Sequence, residues 1–527
     1  MTTIARESRP APRVEQALLD DLAASVAATG VGGGISILAP FTEEEIAVVP
    51  RGSETDMALA VERARAAQKG WAATPVKERV AMLSRFHDLL IARADVAMDI
   101  IQLEGGKARI PAFEEVYDTI ATTRYYLKTG PDVLRRRRRS VSFPLLTRAY
   151  EYRYPHGVVG SITPWNFPFT LGISDMVPAL LAGNAVVAKP DEKTPFSTLY
   201  GVSLLHEAGL PPDVFQVVTG YGEEVGRRLV DLVDFVMFTG STEIGREVAT
   251  RAASRLVGAS LELGGKNAAI VLADADLDKA VPGISRAVYA NGGQLCIAME
   301  RVFVAEEIRE EFTTRLVAHA RELPLTSAFD FSSSLSSLIS REHLEQVHSH
   351  VEDAVAGGAT LLTGGKPRPD VGPLFYEPTI LTDVEEGMLI CRDETFGPVV
   401  SIYGSSHPDE ALAMANDSHL GLNFSVWTRD EQRGIDIATR LEAGTVGVND
   451  GYAAVWSSYD APMGGMKMSG MGRRHGAEGL TKYTESQTVA VQKVGPAFAP
   501  PRGMSYPLYQ RLLDVVLRVV KHLPFYK

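Results

Sequence analysis

Residues 235–245 read Phe235-Val236-Met237-Phe238-Thr239-Gly240-Ser241-Thr242-Glu243-Ile244-Gly245, a short apolar run, a tight turn and the polar start of a helix. The run reads as a buried strand. The turn leaves free N–H groups at a helix N-terminus, where they and the helix dipole favour a pyrophosphate. Alone, Gly240 and Ser241 are as readily a plain helix cap. Working outward, Ala185-Val186-Val187-Ala188 and Phe215-Gln216-Val217-Val218 are similar runs, each entering a turn and a helix. This alternation predicts a doubly wound parallel sheet. The usual G-x-G-x-x-G fingerprint is absent, because the run Gly220 to Gly226 is one residue too long for it. A second alternating region, from about 266 to 467, predicts a second α/β domain, with a ligand site between the two.

Two residues in glycine-rich settings carry the chemistry: Glu262 in Leu261-Glu262-Leu263-Gly264-Gly265-Lys266-Asn267, and Cys296 in Asn291-Gly292-Gly293-Gln294-Leu295-Cys296. An ordinary thiol, with a pKa near 8.5, is only a few per cent thiolate at neutral pH, so a nucleophilic cysteine needs a base or a positive field. Glu262 can be that base. Upstream, Thr163-Pro164-Trp165-Asn166-Phe167-Pro168 holds a side-chain amide between two prolines, and such an amide can serve an oxyanion. Downstream come Glu394-Thr395-Phe396-Gly397-Pro398, Gly444-Thr445-Val446-Gly447-Val448-Asn449, and the run Pro462 to Gly470.

With these motifs, in this order and spacing from about residue 35 to 495, the chain resembles the NAD(P)-dependent aldehyde dehydrogenase superfamily. The resemblance implies an α/β architecture of two doubly wound parallel domains plus a small antiparallel ribbon. The expected division is 1–132 with 156–264 for a dinucleotide-binding domain, 265–467 for a catalytic domain, 133–155 with 484–497 for an oligomerisation ribbon, and 498–527 for a tail. It implies that Cys296 attacks an aldehyde carbonyl, that Asn166 and the Cys296 N–H hold the oxyanion, and that Glu262 activates the water that hydrolyses the thioester. For the cofactor, Lys189 and Glu192 match residues that reach the adenosine ribose, Trp165 flanks the cofactor, Gly240 and Ser241 match the pyrophosphate loop, and Glu394 and Phe396 match those that hold the nicotinamide ribose. A carboxylate at Glu192 repels a 2′-phosphate, so NAD is expected over NADP, with Lys193 keeping NADP open.

Two departures stand out. Many members carry a lysine nine residues after the asparagine and a glutamate just after the Gly-Arg; here these are Asp175 and Arg474, which predicts an ion pair with its signs exchanged. The sequence is most similar to an actinobacterial branch of succinate-semialdehyde dehydrogenases (NADP), including the Gly-Arg-Arg-His-Gly run at 472–476. Classical succinate-semialdehyde enzymes hold the distal carboxylate with two arginines, at positions that are Ser174 and Ala290 here. The expected lining is instead apolar: Phe167, Leu171, Leu295, Ile297, Met463, and Tyr452 and Trp456 on a lengthened loop. An aromatic or medium-chain aldehyde is therefore expected, with succinate semialdehyde and NADP as the alternative.

The composition of 527 residues, 45% hydrophobic and 22% charged, is that of an ordinary soluble protein. A net charge of −12 argues against nucleic acid as a partner. The run Arg135 to Arg139 reads as a solvated or carboxylate-paired strand edge. Two cysteines make no disulfide framework and suit a reducing cytoplasm, with Cys391 structural or incidental; no metal site is expected. Residues 1–35 are expected to be a mobile lead followed by a ribbon, with no secretion signal over Met1 to Leu18. Tyr150-Glu151-Tyr152-Arg153-Tyr154 and Ser486 to Gln492 read as strands; in the family such segments augment another subunit, so a homodimer or homotetramer is expected. From Leu508 to Leu523, Arg511, Asp514, Arg518, Lys521 and His522 fall at helical spacing and leave a broad apolar face, for docking on the protein as a lid or for peripheral membrane contact. A rival from another class is a non-catalytic structural or redox-sensing relative. The full set Asn166, Glu262, Cys296, Lys189 and Glu394 counts against it, and Glu262 counts against acyl transfer to coenzyme A.

Overall fold

A computed structural model describes residues 11–141, 147–493, 495 and 498–522. The apolar runs form the interior of a six-stranded sheet, ordered Gly470–Met471, Gly258–Glu262, Phe235–Thr239, Val158–Ile162, Ala185–Lys189, Phe215–Val217. All pairings are parallel except that of Gly470–Met471. Strands such as Ala185–Lys189 are buried at every position, as parallel strands covered by helices on both faces must be. The chain starts at Val158–Ile162, winds outward to one side through 185 and 215, then returns to the other side through 235 and 258. The carboxyl ends of Val158–Ile162 and Phe235–Thr239 are thus the point where the winding reverses, and a crevice opens there in such sheets. The loops that leave these two ends are 163–168 and Gly240–Ser241.

A seven-stranded sheet follows, ordered Thr360–Thr363, Thr379–Thr382, Val399–Ser405, Met299–Ala305, Asn267–Val271, Asn423–Trp427, Thr445–Val448, with only the first strand antiparallel. Residues 263–266 alone join Gly258–Glu262 of the first sheet to Asn267–Val271 of the second. Glu262 therefore ends a strand of one sheet, while Cys296 lies just before Met299–Ala305 of the other.

The third sheet is antiparallel: Thr484–Gln492 pairs along its whole length with Thr147–Pro155, which pairs with Arg137–Arg139. Both strands read from sequence lie here. The arginine run is an exposed edge, with Arg139 bonded to Glu151 and Arg136 over the Tyr150 ring.

The mobile lead expected over residues 1–35 is corrected in part. Residues 1–10 lie outside the described residues, but Gln16–Ala24 is a helix that buries Leu19, Leu22 and Ala23. These side chains share one helical face and give the segment a core contact that its Ala and Gly content had concealed. The strands Gly34–Ala39 and Glu44–Pro50 then pair as a ribbon.

Candidate active site

The loop carrying Cys296 is built on three consecutive left-handed residues, Asn291, Gly292 and Gly293. A Cβ at Gly293 would lie 1.9 Å from the Gly397 carbonyl oxygen, so only glycine lets the two loops meet. Gln294 pins the loop from inside: its amide donates to the carbonyls of Asn291 and Ser337, both at 2.9 Å, and its oxygen accepts from the Ile339 N–H at 2.9 Å. Asn267 holds the exit, donating to the carbonyls of Cys296 at 2.7 Å and Ala298 at 2.8 Å. Asn166 is buried and donates to the Gln294 carbonyl at 3.0 Å. An amide carries two N–H protons, so this bond orients Asn166 and leaves a second donor.

Cys296 and Glu262 border one hollow of about 290 Å³, together with Trp165, Asn166, Thr239, Gly240, Ser241, Glu394 and Phe396. Burial, with Glu394 and Glu262 nearby, pushes the Cys296 thiol up to about 12, against the weaker opposing pull of Arg474. The thiol is thus protonated at neutral pH and needs a base in order to attack. Burial also raises Glu262, to about 7, although Lys482 and Arg474 favour its ionised form. Near neutrality such a carboxyl can both accept and release a proton.

Asp175 and Arg474 meet at 3.0 Å with both side chains buried, the ion pair expected from the exchanged residues. Arg474 also donates to Ser174 Oγ at 3.4 Å and lies over the Trp456 ring. Removing one partner strands a buried charge, so Asp175→Arg and Arg474→Asp should each lower stability by roughly 3–5 kcal/mol. The double reversal should recover most of the loss in thermal unfolding; a double variant no better than either single variant would refute the pairing.

On the cofactor side, a second hollow of about 460 Å³ is lined by Ile162, Glu192, Phe238, Ile244, Arg227 and Val248, among others. Phe238 borders this hollow, and Thr239, Gly240 and Ser241 border the first, so the turn quoted at the outset stands between them. Ser241 caps the helix Thr242–Ser254 through its side chain, which leaves the plain-cap reading satisfied as well. Lys189 ends its strand and donates to Glu192 at 3.1 Å. Burial alone would raise Glu192, but the Lys189 ammonium holds it below the usual carboxylate range. Lys193 stands 4.0 Å from Glu192. Glu394 accepts from the Gly265 N–H at 2.9 Å, and burial pushes it up to about 8. A Cβ on Gly264 would lie 2.2 Å from Glu394, so the glycines after Glu262 make room for this carboxyl. Paired hollows, a helix N-terminus between them, and the acidic side chains Glu192 and Glu394, one at each hollow, suit a dinucleotide: NAD or NADP fits.

Sequence reasoning missed what holds this loop. Phe396 has a left-handed φ of 55°, kept in place by Glu300, which accepts from the N–H groups of Thr395 and Phe396 and pairs with buried Lys266 at 2.5 Å. His343 contacts the Phe396 carbonyl at 2.8 Å and meets the Trp165 ring edge-on. Two charges, Glu300 and Arg301, inside the otherwise apolar strand Met299–Ala305 were the available signal.

The expected substrate lining is partly redistributed. Phe167, Leu171, Leu295, Ile297, Tyr452 and Met463 are buried in one apolar cluster against which Cys296 and Trp456 pack. Tyr452 is anchored away from the thiol hollow: its hydroxyl bonds both oxygens of Glu114, and it borders a separate hollow of about 300 Å³ with Arg286 and Ala290. Ser174 belongs to the polar group of Arg474, Asp175 and Asp118 rather than to the apolar wall.

Comparison with known proteins places the chain among the NAD(P)-dependent oxidoreductases. More narrowly, it belongs to the aldehyde dehydrogenase family, whose profile matches residues 27–489. A Mycolicibacterium smegmatis protein provisionally named succinate-semialdehyde dehydrogenase (NADP) is 49% identical over 484 residues, covering 92% of this chain and 93% of the relative. The glutarate-semialdehyde dehydrogenase of Pseudomonas putida is 36% identical, covering 87% and 95%. The crystal structure of an NAD-dependent aldehyde dehydrogenase from Sinorhizobium meliloti superposes with a TM-score of 0.85 at 35% identity, covering 90% and 94%. Among the described residues no helix is long and apolar enough to cross a membrane.

Proposed function

We propose that this chain oxidises an apolar aldehyde, aromatic or of medium chain length, to the carboxylic acid through a thioester on Cys296. The observation that carries the reading is that Cys296 and Glu262 border the same hollow as Trp165, Ser241, Glu394 and Phe396. Cys296 attacks the carbonyl carbon as Glu262 accepts the thiol proton, and the resulting oxyanion takes N–H donors from Asn166 and the Cys296 backbone. Losing one such donor typically costs roughly 2.7–4 kcal/mol in the barrier. When bound between Lys189, Glu192, Ser241 and Glu394, the nicotinamide cofactor supplies the hydride acceptor. Glu262, having passed the thiol proton to solvent, then takes a proton from the water that attacks the thioester, and the carbon–sulfur bond breaks to release the acid and return Cys296. The first sheet with its helices is the dinucleotide-binding unit, and the second supplies the nucleophile.

The substrate class rests on charge matching. Three cations lie over rings of the apolar cluster, and each is already matched: Arg474, over Trp456, with Asp175; Lys107, over Phe167, with Glu115; and Arg286, over Tyr452, with Glu114. A substrate carboxylate would find no uncommitted partner among them and would lose charge-assisted hydrogen bonds. A second reading, succinate semialdehyde with NADP, is favoured by the name of the Mycolicibacterium relative. Initial rates with NAD and NADP against benzaldehyde, a medium-chain aldehyde and succinate semialdehyde decide between them. Higher kcat/KM for the apolar aldehydes with NAD supports the first reading, and preference for succinate semialdehyde with NADP overturns it.

Assembly belongs to the same proposal. Thr484–Gln492 is an edge strand exposed from Glu485 onward, a ready surface for pairing with another copy in a homodimer or homotetramer. The tail helix is read as a peripheral membrane contact of a cytoplasmic enzyme.

A further inference from the structure

The tail helix Tyr506–Val520 buries no residue, and Leu508, Leu512, Val515, Val516, Leu517 and Val519 are each between 46% and 60% exposed. The lid expected from sequence is therefore not formed on this chain's own surface. At 100° per residue the apolar side chains fill an arc of roughly 200°, while Gln510, Arg511, Asp514, Arg518, Lys521 and His522 share the remainder. Two features distinguish this pattern from a helix made to lie on protein. A surface helix that packs on a core needs an apolar stripe only somewhat over 100° wide, whereas immersion in a lipid interface covers more than half the circumference. The polar arc also carries Arg511, Arg518 and Lys521 against the single anion Asp514, in a chain whose net charge is −12. The cations are thus gathered where the rest of the molecule is acidic, and Arg511 and Lys521 lie toward opposite borders of the apolar arc, where their stems can run along acyl chains and their charges reach headgroups.

Resting on the reading of the tail as a peripheral contact, we infer that this helix binds the surface of an anionic lipid bilayer, lying in the interface with its apolar face inward. Each cation near such a surface adds to binding, and added salt weakens it over a Debye length. The body of the protein is acidic and is repelled by the same surface, so attachment depends on the tail. Because the helix buries no residue, its removal is expected to leave the catalytic body intact.

The test is flotation of the full chain with phosphatidylcholine vesicles, with and without phosphatidylglycerol, at low and high salt. The full chain should float with phosphatidylglycerol-containing vesicles at least tenfold more than with phosphatidylcholine alone, and salt should release it. The double variant Leu512→Glu, Val516→Glu and a chain ending at Lys493 should stay in solution while oxidising a soluble aldehyde at the parent rate. Equal flotation with both vesicles would overturn the anionic-lipid assignment but leave a peripheral contact standing. No flotation with either vesicle would overturn both, and so would a shift to smaller oligomers on deleting the tail, which would mean that a second copy covers the helix.

Discussion

Cys296→Ala is expected to lower aldehyde oxidation by a factor on the order of 10⁴ or more while leaving the melting temperature within a few degrees of the parent. The size follows from the absence of a substitute. The other thiol, Cys391, packs in a separate cluster around Tyr376 and Val399 and contacts Glu386, and it does not border the hollow that Asn166 and Cys296 share. The loop does not depend on the thiol for its shape, because Gln294 and Asn267 hold it through backbone carbonyls. Reduced-cofactor formation over a single turnover, alongside thermal unfolding, checks this. A variant that retains activity within tenfold of the parent would remove Cys296 from the chemistry.

Glu262→Gln should separate the two halves of the reaction. Loss of a general base typically costs roughly 10²–10⁴-fold. Thiol attack is slowed as well, but a thiol is a stronger acid than water, so a minor thiolate population still attacks while thioester hydrolysis loses the most. Steady-state turnover should collapse by that factor while one equivalent of reduced cofactor per site still forms, more slowly than in the parent. In the parent enzyme, activity should rise with pH through about 7, where Glu262 ionises. The same buried carboxyl affects stability. Its folded-state pKa is raised from 4.5 to about 7, so the folded protein holds the proton more tightly than the unfolded chain. Its contribution to stability is therefore fully present below about pH 4.5 and is lost as pH rises through about 7. Glu262→Gln removes that loss, so relative to the parent the variant should melt higher at pH 8 than at pH 5. Equal differences at the two pH values would show that Glu262 does not carry a raised pKa.

The parts of this site legible in the sequence are those tied to strand ends and glycines. Phe235 to Phe238 followed by Gly240-Ser241 gave the crevice only beside the other motifs, because alone such a turn is as readily a plain helix cap. Asp175 and Arg474, far apart along the chain, could be paired because they exchange signs at two positions where the family that the sequence resembles carries a lysine and a glutamate. Side-chain direction was less accessible. Tyr452 was read as facing the substrate, but its hydroxyl is held by Glu114 and its ring lies under Arg286, both on elements distant in sequence. The Glu300–Lys266 support beneath Phe396 was hidden for the same reason, since only the packed strands reveal which buried charges meet. The Gln16–Ala24 helix was missed because its small and charged residues obscured a narrow apolar face.

The most direct test of the covalent route is peptide mass spectrometry of Glu262→Gln after one incubation with aldehyde and oxidised cofactor. The predicted result is a single acyl adduct on the Cys296 peptide, equal in amount to the reduced cofactor formed. Reduced cofactor accumulating beyond one equivalent with Cys296 unmodified, or an adduct on another residue, would contradict the assignment of nucleophile and base.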